Sequence, residues 1–364
     1  MTTTFGTQVS RRRLLGTAAA GLAAAALQPM LAGRLLAAGA GHMRVLHPTP
    51  ANLLLWSVTY LAEDMGFYAD EGLTVERIGL NGGPAAMTAL IAGEGEAELA
   101  TPGEALSAVA QGQDVRILES YTSSDAYTFC VSKGFAETHG VTADSPLDAR
   151  VAALAAGKGG RFGVTAPGSA TDLTARMAVR QAGLDPDSDV QLLPLGTIIN
   201  VISGIAQGAV DGGALLSPFT EQAMLEFGLV PLLSVANGDM PAASRLQGQV
   251  LHAPGALVES RAADYAAFVR ADLRALKLLH DDPDTARDKL RETRFDKLDA
   301  AVWPSVWAGQ LPTFATPYVA AEGLRAWIET GTIGGNPDPA TFPYDRMIDM
   351  RFVEAGLKDL GWTM

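Results

Sequence analysis

Five short junctions carry residue types suited to holding a polar ligand: Gly82-Gly83-Pro84, Thr101-Pro102-Gly103-Glu104, Ser169-Ala170-Thr171-Asp172, Gly196-Thr197 and Ser217-Pro218. Each follows an apolar, strand-like run and precedes an amphipathic helical pattern. A hydroxyl N-cap, a proline in the first turn or a glycine that admits close backbone approach is what a helix start requires. Such a start leaves N–H groups unpaired and carries about half a positive charge. In open α/β sheets these starts gather at the carboxyl ends of the strands, where ligands bind. None of the five contains Lys or Arg. The chemistry on offer is capture by neutral donors and backbone dipoles, which suits a small polar or anionic molecule better than a polyphosphate.

Other chemistries lack their residues. Gly157-Lys158-Gly159-Gly160 has the composition of a phosphate loop but not its spacing, since Ala152 stands five residues before Gly157 and Gly159 follows Lys158; it reads as a surface loop. His42, His47, His139, His252 and His280 show no His-Glu-x-x-His spacing, so no metal site is expected. Gly-x-Ser-x-Gly is absent, and the single cysteine, Cys130, sits between Phe129 and Val131, where it reads as a small buried hydrophobe. No catalytic residue and no cofactor is assigned. Ser169 with Asp172, and Thr101 with Glu104, read as capping boxes, with the Thr171 hydroxyl and the spare N–H groups directed into a cleft. Trp56, Tyr60, Tyr121, Tyr127 and Phe219 flank the junctions as a candidate apolar wall.

The elements that must position these residues alternate β and α. Strand patterns at 44–47, 73–80, 98–100 and 115–121 are interleaved with helical patterns that stop at Gly66, Gly93 and Gly112. Ser123-Ser124-Asp125 interrupts the series, and a second set begins at Tyr127, with strands at 161–165, 190–195 and 213–216 and helices closed by Gly183, Gly208 and Gly228. Residues 249–252 read as a strand returning to the first set. This predicts a mostly parallel α/β architecture of two doubly wound lobes, with residues 41–125 plus 248–364 as lobe 1, residues 126–247 as lobe 2, and a hinge where the chain crosses twice.

The first forty residues contain no Asp or Glu. Ser10-Arg11-Arg12-Arg13-Leu14-Leu15, the Ala/Gly-rich apolar run that follows and Ala38-Gly39-Ala40 match a twin-arginine signal peptide, so residues 1–40 are expected to be removed and the mature chain to start at Gly41. No cysteine for lipid attachment follows the run, so the mature protein is expected free in the periplasm and monomeric. Losing the leader's four arginines takes the formal charge from −13 to −17. An acidic surface of this kind excludes nucleic acid and anionic membranes as partners.

Gly66-Phe67-Tyr68-Ala69-Asp70-Glu71-Gly72-Leu73-Thr74-Val75, then Gly82-Gly83, then the run from Gly163 to Asp172 (Gly-Val-Thr-Ala-Pro-Gly-Ser-Ala-Thr-Asp) carry a family likeness over nearly the whole mature chain. Gly208-Ala209-Val210-Asp211-Gly212 and Phe352-Val353 extend it. The chain resembles the sulfonate/nitrate/taurine and thiamine-precursor solute-binding proteins of ABC importers. That resemblance implies a type II periplasmic binding protein fold, a small-molecule ligand between the lobes, and delivery to a membrane permease driven by a cytoplasmic ATPase. It places the ligand at Thr49, Asn52, Gly82, Gly83, Thr101, Pro102, Ser169, Ala170, Thr171, Thr197 and Ser217, to which the aromatic wall adds Tyr121. Sulfonates and carboxylates head the implied ligands, with neutral pyrimidines and aromatic acids as alternatives. Two enzyme groups on this scaffold match poorly: one uses a cysteine-rich iron motif, the other an Arg-x-Gly-Gly loop where this chain has Leu80-Asn81-Gly82-Gly83. A sensor that docks on a receptor is the remaining alternative.

Overall fold

The computed structural model describes residues 41–124 and 126–364, so the leader assigned to residues 1–40, and Asp125, lie outside the described residues. The short apolar runs become two five-stranded sheets. Strands β1 (His42–His47), β2 (Thr74–Gly79), β3 (Ala97–Ala100), β4 (Val115–Ser120) and β10 (Val250–Pro254) form the first, in the order β2-β1-β3-β10-β4. Strands β5 (Tyr127–Val131), β6 (Arg161–Val164), β7 (Gln191–Pro194), β8 (Gly212–Leu216) and β9 (Val230–Ser234) form the second, in the order β7-β6-β8-β5-β9. Helices cover both, which is why β3, β5 and β8 are buried at every position and read as unbroken apolar runs rather than alternating ones.

Each sheet departs from the parallel expectation by one strand. β10 runs antiparallel between β3 and β4, and β5 runs antiparallel between β8 and β9. Both lie just past a crossing of the chain between the sheets, so each enters its sheet without a crossover helix to set its direction. The crossings lie side by side: Gln249 N–H donates to Thr122 Oγ1 at 2.8 Å, Tyr121 N–H to the Gln249 carbonyl at 2.8 Å, and Gln247 Nε2 to the Thr122 carbonyl at 2.9 Å. A Cβ on Gly248 would meet Thr122 Oγ1 at 2.3 Å, so the two strips touch backbone to backbone.

Seven helices matter below: α1 (Ser57–Asp64), α2 (Gly83–Ile91), α3 (Pro102–Ala110), α4 (Ala170–Gln181), α5 (Ile198–Ala206), α6 (Phe219–Phe227) and α7 (Ala262–Asp281). Among the described residues no helix is long and apolar enough to cross a membrane. The large buried side chains divide between the two sheets, with Trp56, Tyr60, Tyr121 and Phe268 in the first and Phe129 and Phe162, edge to face at 5.1 Å between ring centres, in the second.

Candidate functional site

The starts of α2, α3, α4 and α5 meet over one cavity of about 60 Å³ between the sheets. It is bounded by Gly82, Gly83 and Thr101 from one side and by Ser169, Ala170, Thr171 and Thr197 from the other, with Thr49 at its edge. Leu53, Leu55, Trp56, Tyr127, Ile198 and Leu216 supply an apolar wall. None of the described lining residues is Lys or Arg. A second cavity, of about 460 Å³, adjoins it along α2, α3 and α4 and is closed by Trp327 and Ile333. Glu104 lines both.

Local sequence explains how each start is built. Ser169 is a true N-cap: its Oγ accepts from Asp172 N–H at 3.4 Å, and the Asp172 carboxylate accepts from Gly168 N–H at 2.9 Å while pairing with Arg176. Thr197 caps α5 by accepting from Asn200 N–H at 3.2 Å. The Thr171 hydroxyl is turned away from its expected role. It accepts from Thr165 N–H at 2.9 Å and lies 2.9 Å from both Ser169 Oγ and Thr165 Oγ1, a knot of three hydroxyls that ties the β6 end to α4 and leaves less of Thr171 for a ligand.

The capping box at Thr101 does not form. Thr101 makes no side-chain cap bond; its hydroxyl donates to Glu104 Oε2 at 2.7 Å, and the Glu104 side chain folds under α2. A Cβ on Gly83 would stand 1.9 Å from Glu104 Oε1, so the missing side chain there makes room for a carboxyl group. Gly82 differs as well: its N–H is committed to the Pro48 carbonyl at 2.7 Å, and its φ of 99° is what reserves the position for glycine.

Four expected site residues do not line this cavity. Asn52 Nδ2 donates to the Arg294 carbonyl at 3.0 Å on the surface. Pro102 is buried at the first position of α3, behind Thr101. Tyr121 is buried with its hydroxyl donating to Asp272 of α7, in the core beside the first sheet. Ser217 donates to Glu221 one turn along α6, and it is Leu216 before it that reaches the wall. Of the aromatic wall, Trp56 and Tyr127 face the cavity; the Tyr60 hydroxyl accepts from Leu53 N–H at 3.2 Å, and Phe219 packs on the core.

Sequence reasoning missed the ionisable group at the centre of the site. Glu104 is buried, which pushes its carboxyl up to about 7, with Glu98 adding to the rise and the Thr101 hydroxyl opposing it. Behind it Glu98 of β3 and His252 of β10 face each other in register and bond Oε2 to Nδ1 at 3.1 Å, wholly buried. Burial pushes Glu98 well up and His252 down to about 4. The signal was a charged residue in each of two otherwise apolar strand runs, Ala97-Glu98-Leu99-Ala100 and Val250-Leu251-His252-Ala253. Cys130 is fully buried in β5, and burial pushes its thiol far from thiolate formation.

Residues 57–291 match the sequence model of the NMT1-like family, well over half of the chain. The chain belongs to the NMT1-like family. Among curated proteins none matches in sequence. Solved structures similar to this NMT1-like chain include a protein of Bordetella bronchiseptica RB50, at 20% identity and TM-score 0.71, covering 88% of this chain and 98% of that one. The alkanesulfonate-binding protein SsuA of Xanthomonas axonopodis pv. citri, bound to MOPS, superposes with TM-score 0.64 at 18% identity, covering 86% and 99%. The periplasmic nitrate-binding protein NrtA of Synechocystis PCC 6803 does so with TM-score 0.65 at 12% identity, covering 88% and 89%. Identities this low establish the fold, and the fold of the NMT1-like chain is the periplasmic binding protein fold, in its type II strand order.

Proposed function

We propose that this protein is the periplasmic solute-binding component of an ABC importer and captures a small organic anion, such as a sulfonate or carboxylate, between its two lobes. The observation that carries the reading is the convergence of four helix starts from both sheets over one cavity whose lining has no basic side chain. Dipoles and hydroxyls hold the head of the ligand, and Trp56, Leu53, Leu55 and Leu216 cover an apolar body. The solute-binding titles among the structural neighbours support the same reading. The lobes, taken as residues 41–125 plus 248–364 and residues 126–247, close by bending at the paired crossings and present the loaded form to a permease with its cytoplasmic ATPase. Export by the twin-arginine route requires an N-terminus at Gly41 on the periplasmic chain, which terminal sequencing checks.

Ligand that binds only the folded, closed form stabilises it by RT ln(1 + [L]/Kd), about 2.7 kcal/mol at a hundredfold excess over Kd. A melting-shift screen of sulfonates, carboxylates and neutral pyrimidines should therefore return hits among the acids, recovered chemically unchanged. Hits confined to the neutral pyrimidines defeat the anion reading. Conversion of a hit into another compound defeats the binding-only reading.

A further inference from the structure

The lining pairs an anion-seeking set of helix starts with a carboxyl group, and that pairing has a chemical consequence. Glu104 sits where the 60 Å³ and 460 Å³ cavities join, held by Thr101 and pressed against the Gly83 backbone. The ionisable groups packed against it are Glu98 from β3 and His252 from β10, and across the cleft Asp172 of α4 shares the larger cavity, its charge matched by Arg176. Arg176 is already paired with both Asp172 and Asp187. Glu98 Oε1 and His252 Nε2 are buried with no hydrogen-bond partner among the described residues. An anionic head brought into this space faces a like charge at low dielectric unless Glu104 holds a proton. Protonated, the same carboxyl carries no negative charge and has a proton to donate.

Resting on the anion reading above, we propose that Glu104 is the specificity-determining residue of the cavity, accepting anions only as the neutral acid, so that binding is linked to proton uptake at this one side chain. A neutral or cationic ligand does not need that proton. Burial pushes the Glu104 carboxyl up to about 7, so affinity for an anion should be constant in mild acid, weaker by about tenfold at pH 8 and by about a hundredfold at pH 9. The sign follows from the bound state holding one more proton than the free state above pH 7.

Two measurements separate this inference from the reading it rests on. Carboxyl carbon NMR of protein labelled at glutamate, compared with Glu104→Gln, identifies the Glu104 resonance without any ligand; a midpoint near 7 is expected, and a midpoint below 5 overturns the inference. Calorimetry with ethanesulfonate as the probe, in buffers of different ionisation heat at pH 8, should show uptake of close to one proton by the wild type and none by Glu104→Gln. The glutamine variant should bind ethanesulfonate at pH 8 about tenfold more tightly than the wild type does. Ethanesulfonate affinity that is flat in pH, or that rises with pH, contradicts the role given to Glu104. If neither ethanesulfonate nor any acid of the melting-shift screen binds at any pH, the anion reading falls, together with the specificity assigned to Glu104, while the NMR midpoint still reports the side chain itself.

Discussion

Gly83→Val should reduce affinity for the identified ligand by more than about a hundredfold while the protein still folds. The new Cβ would stand 1.9 Å from Glu104 Oε1, 2.6 Å from Cδ and 2.9 Å from Cγ, so the carboxyl group must leave its place beneath α2. Its remaining room is the cavity itself, about 60 Å³, which the displaced side chain then occupies. Gly83 is the first residue of α2 and is not among the glycines with positive φ, so valine meets no backbone strain there and the stability cost should stay at about 1–3 kcal/mol of overpacking. Gly82 would be a poor choice for this test, because its φ of 99° makes any side chain a folding defect first. Calorimetry gives the affinity and a denaturant midpoint gives the stability; retained wild-type affinity in a folded Gly83→Val protein moves the ligand away from Glu104 and α2.

Asp272→Ala should cost about 3 kcal/mol of stability, the largest effect expected from a single change remote from the cavity. Asp272 is fully buried in α7, and its two oxygens accept from the hydroxyls of Tyr68 and Tyr121, which lie far from it and from each other in the sequence. Alanine leaves both hydroxyls buried without an acceptor and opens a void. Asp272→Asn keeps an acceptor and should cost less. The pH dependence distinguishes a titrating acid from a purely steric part. Burial pushes the Asp272 carboxyl up to about 7, against the two tyrosine bonds, so the folded state holds a proton that the unfolded chain gives up above about 4. Its contribution to wild-type stability therefore falls as pH rises from about 4 to 7, and Asp272→Asn should remove that part of the slope. A wild-type slope retained in full by the asparagine variant would assign that proton to the neighbouring buried Glu119 instead.

Much of the fold was legible because helix starts and stops are written in local chemistry. Ser169, Thr197, Gly82 and Gly228 declare their roles through capping bonds or positive φ, whatever the tertiary context. Strand direction is not written that way. β5 and β10 are apolar runs like their neighbours, and nothing in Tyr127-Thr128-Phe129-Cys130-Val131 distinguishes an antiparallel strand from a parallel one. The junctions located the cavity as a place, with eight of the twelve expected residues lining it. They did not tell which atoms are spent elsewhere. Thr171, Gly82 and Tyr121 each have a polar group committed to a partner far enough along the chain, or unusual enough, to escape spacing rules. Glu104 was hidden for a different reason: an acid three residues after a threonine at a helix start has a ready local explanation, and only the absence of a side chain at Gly83 shows that it turns inward instead.

The proposed function requires one small molecule held, unchanged, at the junction of α2, α3, α4 and α5. Native mass spectrometry of the protein recovered from its native host reads this directly. The wild type should carry a single adduct, one per chain, which is released intact on denaturation and is missing from Gly83→Val prepared in the same way. An adduct that persists in the folded Gly83→Val protein, or a released compound altered by the protein on re-incubation, would contradict it.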